Sequence, residues 1–320
     1  MTTRIIGTGS ALPEYVMTNN DMAKIVDTSD EWIRSRTGIG KRHLAGAEDS
    51  SASLAIAAGR KALDNSGTAP EEIELLIVAT CSSESFFPSV ACQVQGALGI
   101  PDCVAFDLNA ACSGFLFALN TADAYIKAGI YRKALLIGTE TLSRVINWED
   151  RSTCVLFGDG AGACVVQADT EGMVDFVQLS DGTLGHVLTA HAGTMRTPHM
   201  EAGEMAPLAM DGQAVFKFAV TKVPECIRQI LERNEKAPED IKYYVLHQAN
   251  RRIIQSVARR LQIPEEKFPL NLQEYGNTSA ASIPILLDEM NRRGELQRGD
   301  SLILSGFGAG LTWGAALLHW

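Results

Sequence analysis

The sequence predicts an α/β protein built from two similar halves, and three observations carry that prediction. First, segments recur in order at nearly constant spacing. Ala69-Pro70-Glu71-Glu72-Ile73 returns 168 residues on as Ala237-Pro238-Glu239-Asp240-Ile241, and residues 94–101 and 257–264, offset by 163, both close on Leu-x-Ile-Pro. The apolar run 134–137 is answered 167 residues later by 301–304. This recurrence marks an internal duplication with its boundary at 168–174, dividing the chain into residues 1–170 and 171–320. Second, helical stretches alternate with short apolar strands within each half, as in parallel α/β layering. Third, 320 residues and 34.5 kDa exceed one ordinary core, and a 46% hydrophobic content can fill a large one.

The elements follow in order. A helical stretch at 51–66 leads to the apolar strand 75–79, a second helix ending near 98, and a strand at 103–108. Residues 109–114 form a turn into the apolar helix 115–127, which Gly129 ends, and the strand 134–137 follows. The second half repeats this with a helix at 214–234, a strand at 243–246 and a helix at 251–261, capped by Asn250. Each half closes on a glycine-rich and then apolar piece, 158–166 and 306–318, and both read as hairpins. Residues 188–212 break the pattern. Met195, Met200, Met205 and Met210 recur every five residues, which fits neither helix nor strand, so the segment reads as a long loop, a cover over a site or a plain surface insertion.

A net charge of −10 and a pI near 5.1 oppose general attraction to nucleic acid or an anionic membrane. Residues 1–16 lack a basic start followed by an apolar core, and no apolar run approaches the roughly 18 residues of a spanning helix. A cytoplasmic protein is expected. Seven cysteines without a C-x-x-C pair suggest reduced thiols rather than a disulfide framework or zinc knuckle. His186, His191 and His199 lack ligand spacing, so no metal is expected. Phosphate-loop, G-x-S-x-G and H-E-x-x-H patterns are missing, which removes the simplest nucleotide-binding, serine hydrolase and zinc protease readings.

Three residues carry candidate chemistry. Cys112 lies in the strand-to-helix turn, where unpaired amides and the helix dipole favour a thiolate, and Ala110, Ala111, Ser113 and Gly114 leave room for a substrate carbonyl. The expectation is a lowered thiol pKa; a small buried cysteine is the competing reading. His247 ends a strand, where open α/β sheets place their chemistry, although a lone histidine is often structural. Asn277 lies in the turn 276–279 that answers the Cys112 turn, and Asn in such a turn is commonly conformational. A duplicated fold brings equivalent strand ends together about its pseudo-twofold axis, so the three can converge.

These segments resemble a known family. Ala111-Cys112-Ser113-Gly114-Phe115, His247-Gln248-Ala249-Asn250 and Gly276-Asn277-Thr278-Ser279-Ala280 are similar to the three signatures of β-ketoacyl-[acyl-carrier-protein] synthase III, the initiating condensing enzymes of type II fatty-acid synthesis. The likeness extends through residues 27–33, 36–39, 157–162 and Thr312-Trp313-Gly314.

The resemblance implies a thiolase-like fold of two duplicated halves in α-β-α-β-α layers, a homodimer, and no tightly bound cofactor. It implies that Cys112 takes an acyl group from acyl-CoA and passes it to the carbanion formed when malonyl-carrier protein loses carbon dioxide. The backbone amides of Cys112 and Ala309 would hold the oxyanion, and His247 and Asn277, both neutral, the enolate. Trp32, Arg36 and Arg151 would hold coenzyme A, with indole and guanidinium sandwiching the adenine. Cys81, Phe87 and Leu142 would shape the acyl pocket, Phe87 from across the dimer.

Residues 247–260 hold four arginines and no acid, and Gln248, Ala249, Asn250, Arg251 and Arg252 match the carrier-protein contact; a solvated helix face is the competing reading. Gly40, Ala309 and Cys81 depart from residues common in relatives, which leaves primer choice open. A paralogous acyltransferase of polyketide or quinolone-type metabolism, a thioester hydrolase and a non-catalytic carrier or scaffold protein are the alternatives.

Overall fold

The computed structural model describes residues 1–320. Two sheets divide the chain between them. The first runs, edge to edge, Thr2–Ala11, Gly160–Asp169, Lys133–Glu140, Leu75–Ala79 and Val104–Leu108. The second runs Tyr243–Leu246, Ser301–Gly308, Thr312–His319 and Met173–Ser180. In both, a parallel pair adjoins an antiparallel one. Leu75–Ala79 is parallel to Lys133–Glu140, which is antiparallel to Gly160–Asp169; Tyr243–Leu246 is parallel to Ser301–Gly308, which turns back into Thr312–His319.

The recurring Ala-Pro-Glu-Glu/Asp segment has a physical cause. Each copy starts a short 3-10 turn with proline where no backbone N–H is needed. Its acid reaches back to the preceding alanine: Glu72 accepts from the Ala69 amide at 2.9 Å and Asp240 from the Ala237 amide at 2.8 Å. The turn then feeds a strand whose interior residues are buried on both faces.

The helices Gly114–Lys127 and Ser282–Arg292 lie between the sheets. One core joins Leu75 and Ile77 of the first sheet, Phe115, Leu119 and Leu286 of these helices, and Leu304 of the second sheet. The helices Ser51–Ser66 and Val90–Leu98 cover the outer face of the first sheet, and Gly212–Arg233 and Arg251–Leu261 that of the second. The layers are therefore α-β-α-β-α, the thiolase-like order. Close approach of the second central helix requires a glycine, because a Cβ on Gly162 would fall 2.5 Å from the Ile285 amide nitrogen.

Two readings of the sequence are corrected. Residues 158–166 are not a hairpin: they open the single strand Gly160–Asp169, whose partners on both sides come from distant segments. The segment at 188–212 is not a loop. Leu188–His191 pairs antiparallel with Ala206–Met210, and bridges Thr194–Gly203 and Thr197–Met200 carry the pairing to the tip. A register shift between Ala206 and Ala209 and the long tip scramble the alternation that would have marked strands. Met195, Met200 and Met205 are exposed along this hairpin. No helix is long and apolar enough to cross a membrane.

Candidate active site

Cys112 occupies a 3-10 turn, Ala111–Ser113, that continues into the central helix Gly114–Lys127. Ala111 is left-handed at φ 45°, a strained choice for a residue with a Cβ. The surroundings hold it there. The Asn109 side chain accepts from the Ala111 amide at 3.1 Å, and the Ser113 hydroxyl pairs at 2.6 Å with that of Thr312, which donates to the Ala110 carbonyl at 3.0 Å. Gly308 passes so close that a Cβ on it would lie 2.6 Å from the Cys112 nitrogen.

Cys112 stands where two cavities meet. One, of about 520 Å³, is lined by Cys81, Leu142, Val145, Leu188 and Leu208, with Ala309 on its wall. The other, of about 210 Å³, is lined by Trp32, Arg36, His247, Asn250, Asn277 and Phe307. Cys112 borders both, so the structure brings together the three residues that the sequence had placed at equivalent strand ends.

His247 is buried, and its Nδ1 lies 2.7 Å from the Ser282 hydroxyl. The Gln248 amide donates to that same oxygen at 3.4 Å; with the serine hydrogen turned to Nδ1, Nε2 carries the ring proton toward the cavity. Burial pushes the imidazole pKa down from 6.5 to about 3, so the ring is neutral at neutral pH. Asn277 is buried too. Its Oδ1 accepts from the Ser279 amide at 2.9 Å, while Nδ2 bonds to no atom of the chain. The cavity thus receives two neutral N–H donors.

The thiol departs from the expected lowered pKa. Burial pushes Cys112 up from 9.0 to about 12, and the Glu140 charge adds to the rise. A rise of that size is ~4 kcal/mol. A helix N-terminus supplies at most ~2 kcal/mol, so desolvation wins and the resting residue is a thiol.

The remaining predicted residues separate. Cys81 and Leu142 line the larger cavity, but Phe87 lies outside it, 85% exposed. Trp32 and Arg36 line the smaller one, but Arg151 does not; its guanidinium sits on the Trp32 ring at 4.9 Å from the centroid. A planar group between the two would need about 7 Å, so the expected sandwich requires Arg151 to swing away.

Ala309 keeps a free amide, bonded to no carbonyl. Asn250 caps the helix Arg251–Leu261, accepting from the Arg252 amide at 2.8 Å, and Ala249 is half-buried beside it. Arg251 and Arg252 are exposed, and Arg252 borders a shallow depression with Arg259. Gln248 is a correction. It is 1% exposed and donates to the Leu246 carbonyl at 2.8 Å while accepting from the Asn271 amide at 3.1 Å, so its side chain ties the loop together and cannot meet a partner. No three His, Cys, Asp or Glu side chains gather in a metal-binding group.

Sequence reasoning missed Glu140, Ser279, Ser282 and Phe307 as members of the site. A signal existed for Glu140, a lone acid at the carboxyl end of a strand whose middle, Ala134 to Gly138, is apolar.

Known proteins resemble this chain in sequence and in fold. Residues 106–182 match the family profile described as 3-Oxoacyl-[acyl-carrier-protein (ACP)] synthase III, and residues 231–320 its C-terminal counterpart. The chain is 49% identical over 319 residues to the β-ketoacyl-[acyl-carrier-protein] synthase III of Clostridium acetobutylicum, covering 99% of this chain and 98% of that one. The 3-oxoacyl-[acyl-carrier-protein] synthase III structure from Aquifex aeolicus superposes with a TM-score of 0.93 at 46% identity, covering 99% and 100% of the two chains. The priming β-ketosynthase of the R1128 polyketide pathway gives a TM-score of 0.92 at 35% identity, covering 99% and 96%. With profiles over both halves, near-complete coverage and a cysteine facing a neutral His and Asn, this chain belongs to the β-ketoacyl-[acyl-carrier-protein] synthase III family.

Proposed function

We propose that the protein condenses an acyl-CoA primer, most simply acetyl-CoA, with malonyl-[acyl-carrier-protein], giving 3-ketoacyl-[acyl-carrier-protein], CoA and CO2 and so initiating fatty-acid synthesis. The observation that carries the reading is the position of Cys112 between one cavity for an acyl chain and another holding two neutral donors. The Cys112 sulfur attacks the primer thioester carbonyl as its proton passes to solvent; the amides of Cys112 and Ala309 hold the oxyanion, and the CoA sulfur takes up a proton in exchange and leaves as its thiol. The malonyl carboxylate then departs as CO2. His247 and Asn277 donate to the enolate oxygen, and the carbanion attacks the acyl-Cys112 carbonyl, releasing the sulfur. Decarboxylation needs no strong base, which suits an imidazole pushed down to about 3.

Trp32, Arg36 and Arg151 are the proposed coenzyme A contacts, with CoA a substrate rather than a resident cofactor. Arg251 and Arg252 face an acidic carrier protein, beside Ala249 and Asn250. The halves 1–170 and 171–320 supply the nucleophile and the donor pair respectively. A homodimer fits the free edge of Val104–Leu108 and the neighbouring Phe86 and Phe87, 89% and 85% exposed, with Phe87 reaching the partner's acyl pocket. The cytoplasm is the proposed location.

Incubation with acetyl-CoA should add an acetyl mass to Cys112, and CO2 release should depend on malonyl-carrier protein rather than malonyl-CoA. Absence of the acyl mass would leave a scaffold. CO2 release indifferent to the carrier would favour a polyketide or quinolone-type acyltransferase, and release of free acid a hydrolase.

A further inference from the structure

Glu140 ends the strand Lys133–Glu140, is fully buried, and has no cation to pair with. Every group facing it is a donor. Oε2 accepts from the Ser82 hydroxyl at 2.5 Å, the Cys81 amide at 3.2 Å and the Thr80 hydroxyl at 3.4 Å. Oε1 accepts from the Ser279 hydroxyl at 3.0 Å and the Cys81 thiol at 3.3 Å. Such a cage suits a carboxylate, although burial raises the pKa of this group. The anion also carries a cost, since its charge hinders ionisation of Cys112.

The contact with Ser279 spans 139 residues and joins the two halves. Ser279 is left-handed at φ 49°, a conformation that a non-glycine residue keeps only when its surroundings enforce it. Its amide, 2.9 Å from Asn277 Oδ1, decides which end of that carboxamide turns to the cavity. We propose that Glu140 is a positioning residue for decarboxylation: by holding Ser279 it keeps Asn277 Nδ2 aimed at the enolate oxygen. This rests on reading Cys112 as nucleophile and Asn277 as enolate donor. Glu140 therefore works against the first half-reaction and for the second.

That opposition makes the role separable from plain stability. The full-length protein and its Glu140→Ala and Glu140→Gln variants would be followed in two assays. One reads the rate of acetyl mass gain on Cys112 against pH. The other reads CO2 release from malonyl-carrier protein by enzyme already acetylated. The titratable side chains around Cys112 are Cys81, Glu140 and His247, and His191 and Arg36 line the two cavities it borders. Glu140→Ala is expected to slow CO2 release about 10- to 100-fold, while its acetylation profile moves to lower pH because the nearby anion is gone. Glu140→Gln keeps a polar group against Ser279, so it should share the shifted profile and recover most of the CO2 release. Parallel loss of both half-reactions, or CO2 release within about twofold of wild type in Glu140→Ala, would overturn the proposal. If the alanine variant does not fold, the glutamine variant decides: an unshifted acetylation profile overturns it. Wild-type protein that gains no acetyl mass would instead sink the underlying reading of Cys112.

Discussion

Ala111 and Ser279 hold the same left-handed backbone, at φ 45° and 49°, each opening a 3-10 turn that runs into a central helix. One turn carries the proposed nucleophile and the other fixes the asparagine proposed as its partner, so both halves hold a strained corner at the matching place in the fold. Ala111→Gly should leave stability within about 1 kcal/mol of wild type, because relieved strain and greater unfolded-state freedom oppose each other. Ala111→Val, β-branched in the same place, should cost about 2 kcal/mol or more. Urea unfolding with a constant slope measures both; a valine variant as stable as wild type contradicts the strain assignment.

Gly308→Ala tests the wall behind the nucleophile. Its Cβ would fall 2.6 Å from the Cys112 nitrogen and 3.2 Å from the Ala111 Cβ, so the turn must move and the amide loses its aim. Acetylation of Cys112 should slow about 100-fold in a protein that still folds. A time course of acyl mass at the wild-type rate rules out that amide as an oxyanion donor.

The two perturbed groups make opposite statements about pH. With its thiol pushed up to about 12, Cys112 should react with iodoacetamide ever faster from about pH 6 to about pH 10 without a plateau, as the thiolate fraction climbs. His247, pushed down to about 3, resists protonation, so its ring resonances should not titrate between about pH 5 and about pH 8. An unfolded histidine binds its proton near 6.5 whereas this one does not until about 3, so its burial removes stability as pH falls through that window. A plateau near neutrality, or an imidazole midpoint near 6.5, would contradict these assignments.

Asn277→Ala and His247→Ala should separate the half-reactions. Each deletes a donor to the enolate, and CO2 release should fall about 100- to 1000-fold. Acetylation should stay within about tenfold, since neither side chain is assigned to the first attack. Ser282→Ala, which frees His247 Nδ1 and with it the tautomer, should give a smaller loss of the same kind. Equal damage to both steps places these residues in the first attack as well.

Arg252→Glu should raise the carrier-protein Kd about tenfold and leave acetylation of Cys112 by acetyl-CoA unchanged, because the residue is exposed on the helix flank rather than in either cavity. Titration calorimetry reads it directly, and an unchanged Kd removes this face as the docking surface.

The duplicated architecture was legible because its causes are local: a proline-acid turn, an apolar strand and a capped helix each write themselves into a few neighbouring residues. The helices at 51–66 and 251–261 begin and end where their caps and periodicity put them. Cys112, His247 and Asn277 could be located for the same reason. What escaped depends on the third dimension. Desolvation of Cys112 comes from walls supplied by both halves, and no pattern near Cys112 reports it. Gln248 looked like part of a surface segment because its neighbours are, yet its amide is consumed by Leu246 and Asn271. The hairpin at 188–210 was hidden by an irregular register, and Glu140 by partners that lie up to 139 residues away.

The sulfur at the junction of two unequal chambers has a consequence for traffic. The smaller, about 210 Å³, brings the proposed coenzyme A contacts Trp32 and Arg36 and the donors His247 and Asn277 into one space. The larger meets the same sulfur but is lined mostly by other side chains, so an acyl group that fills it leaves the two donors uncovered. On the proposed reading the loaded acyl group and the incoming malonyl group therefore have separate room, and primer size can change without displacing the pair that holds the enolate.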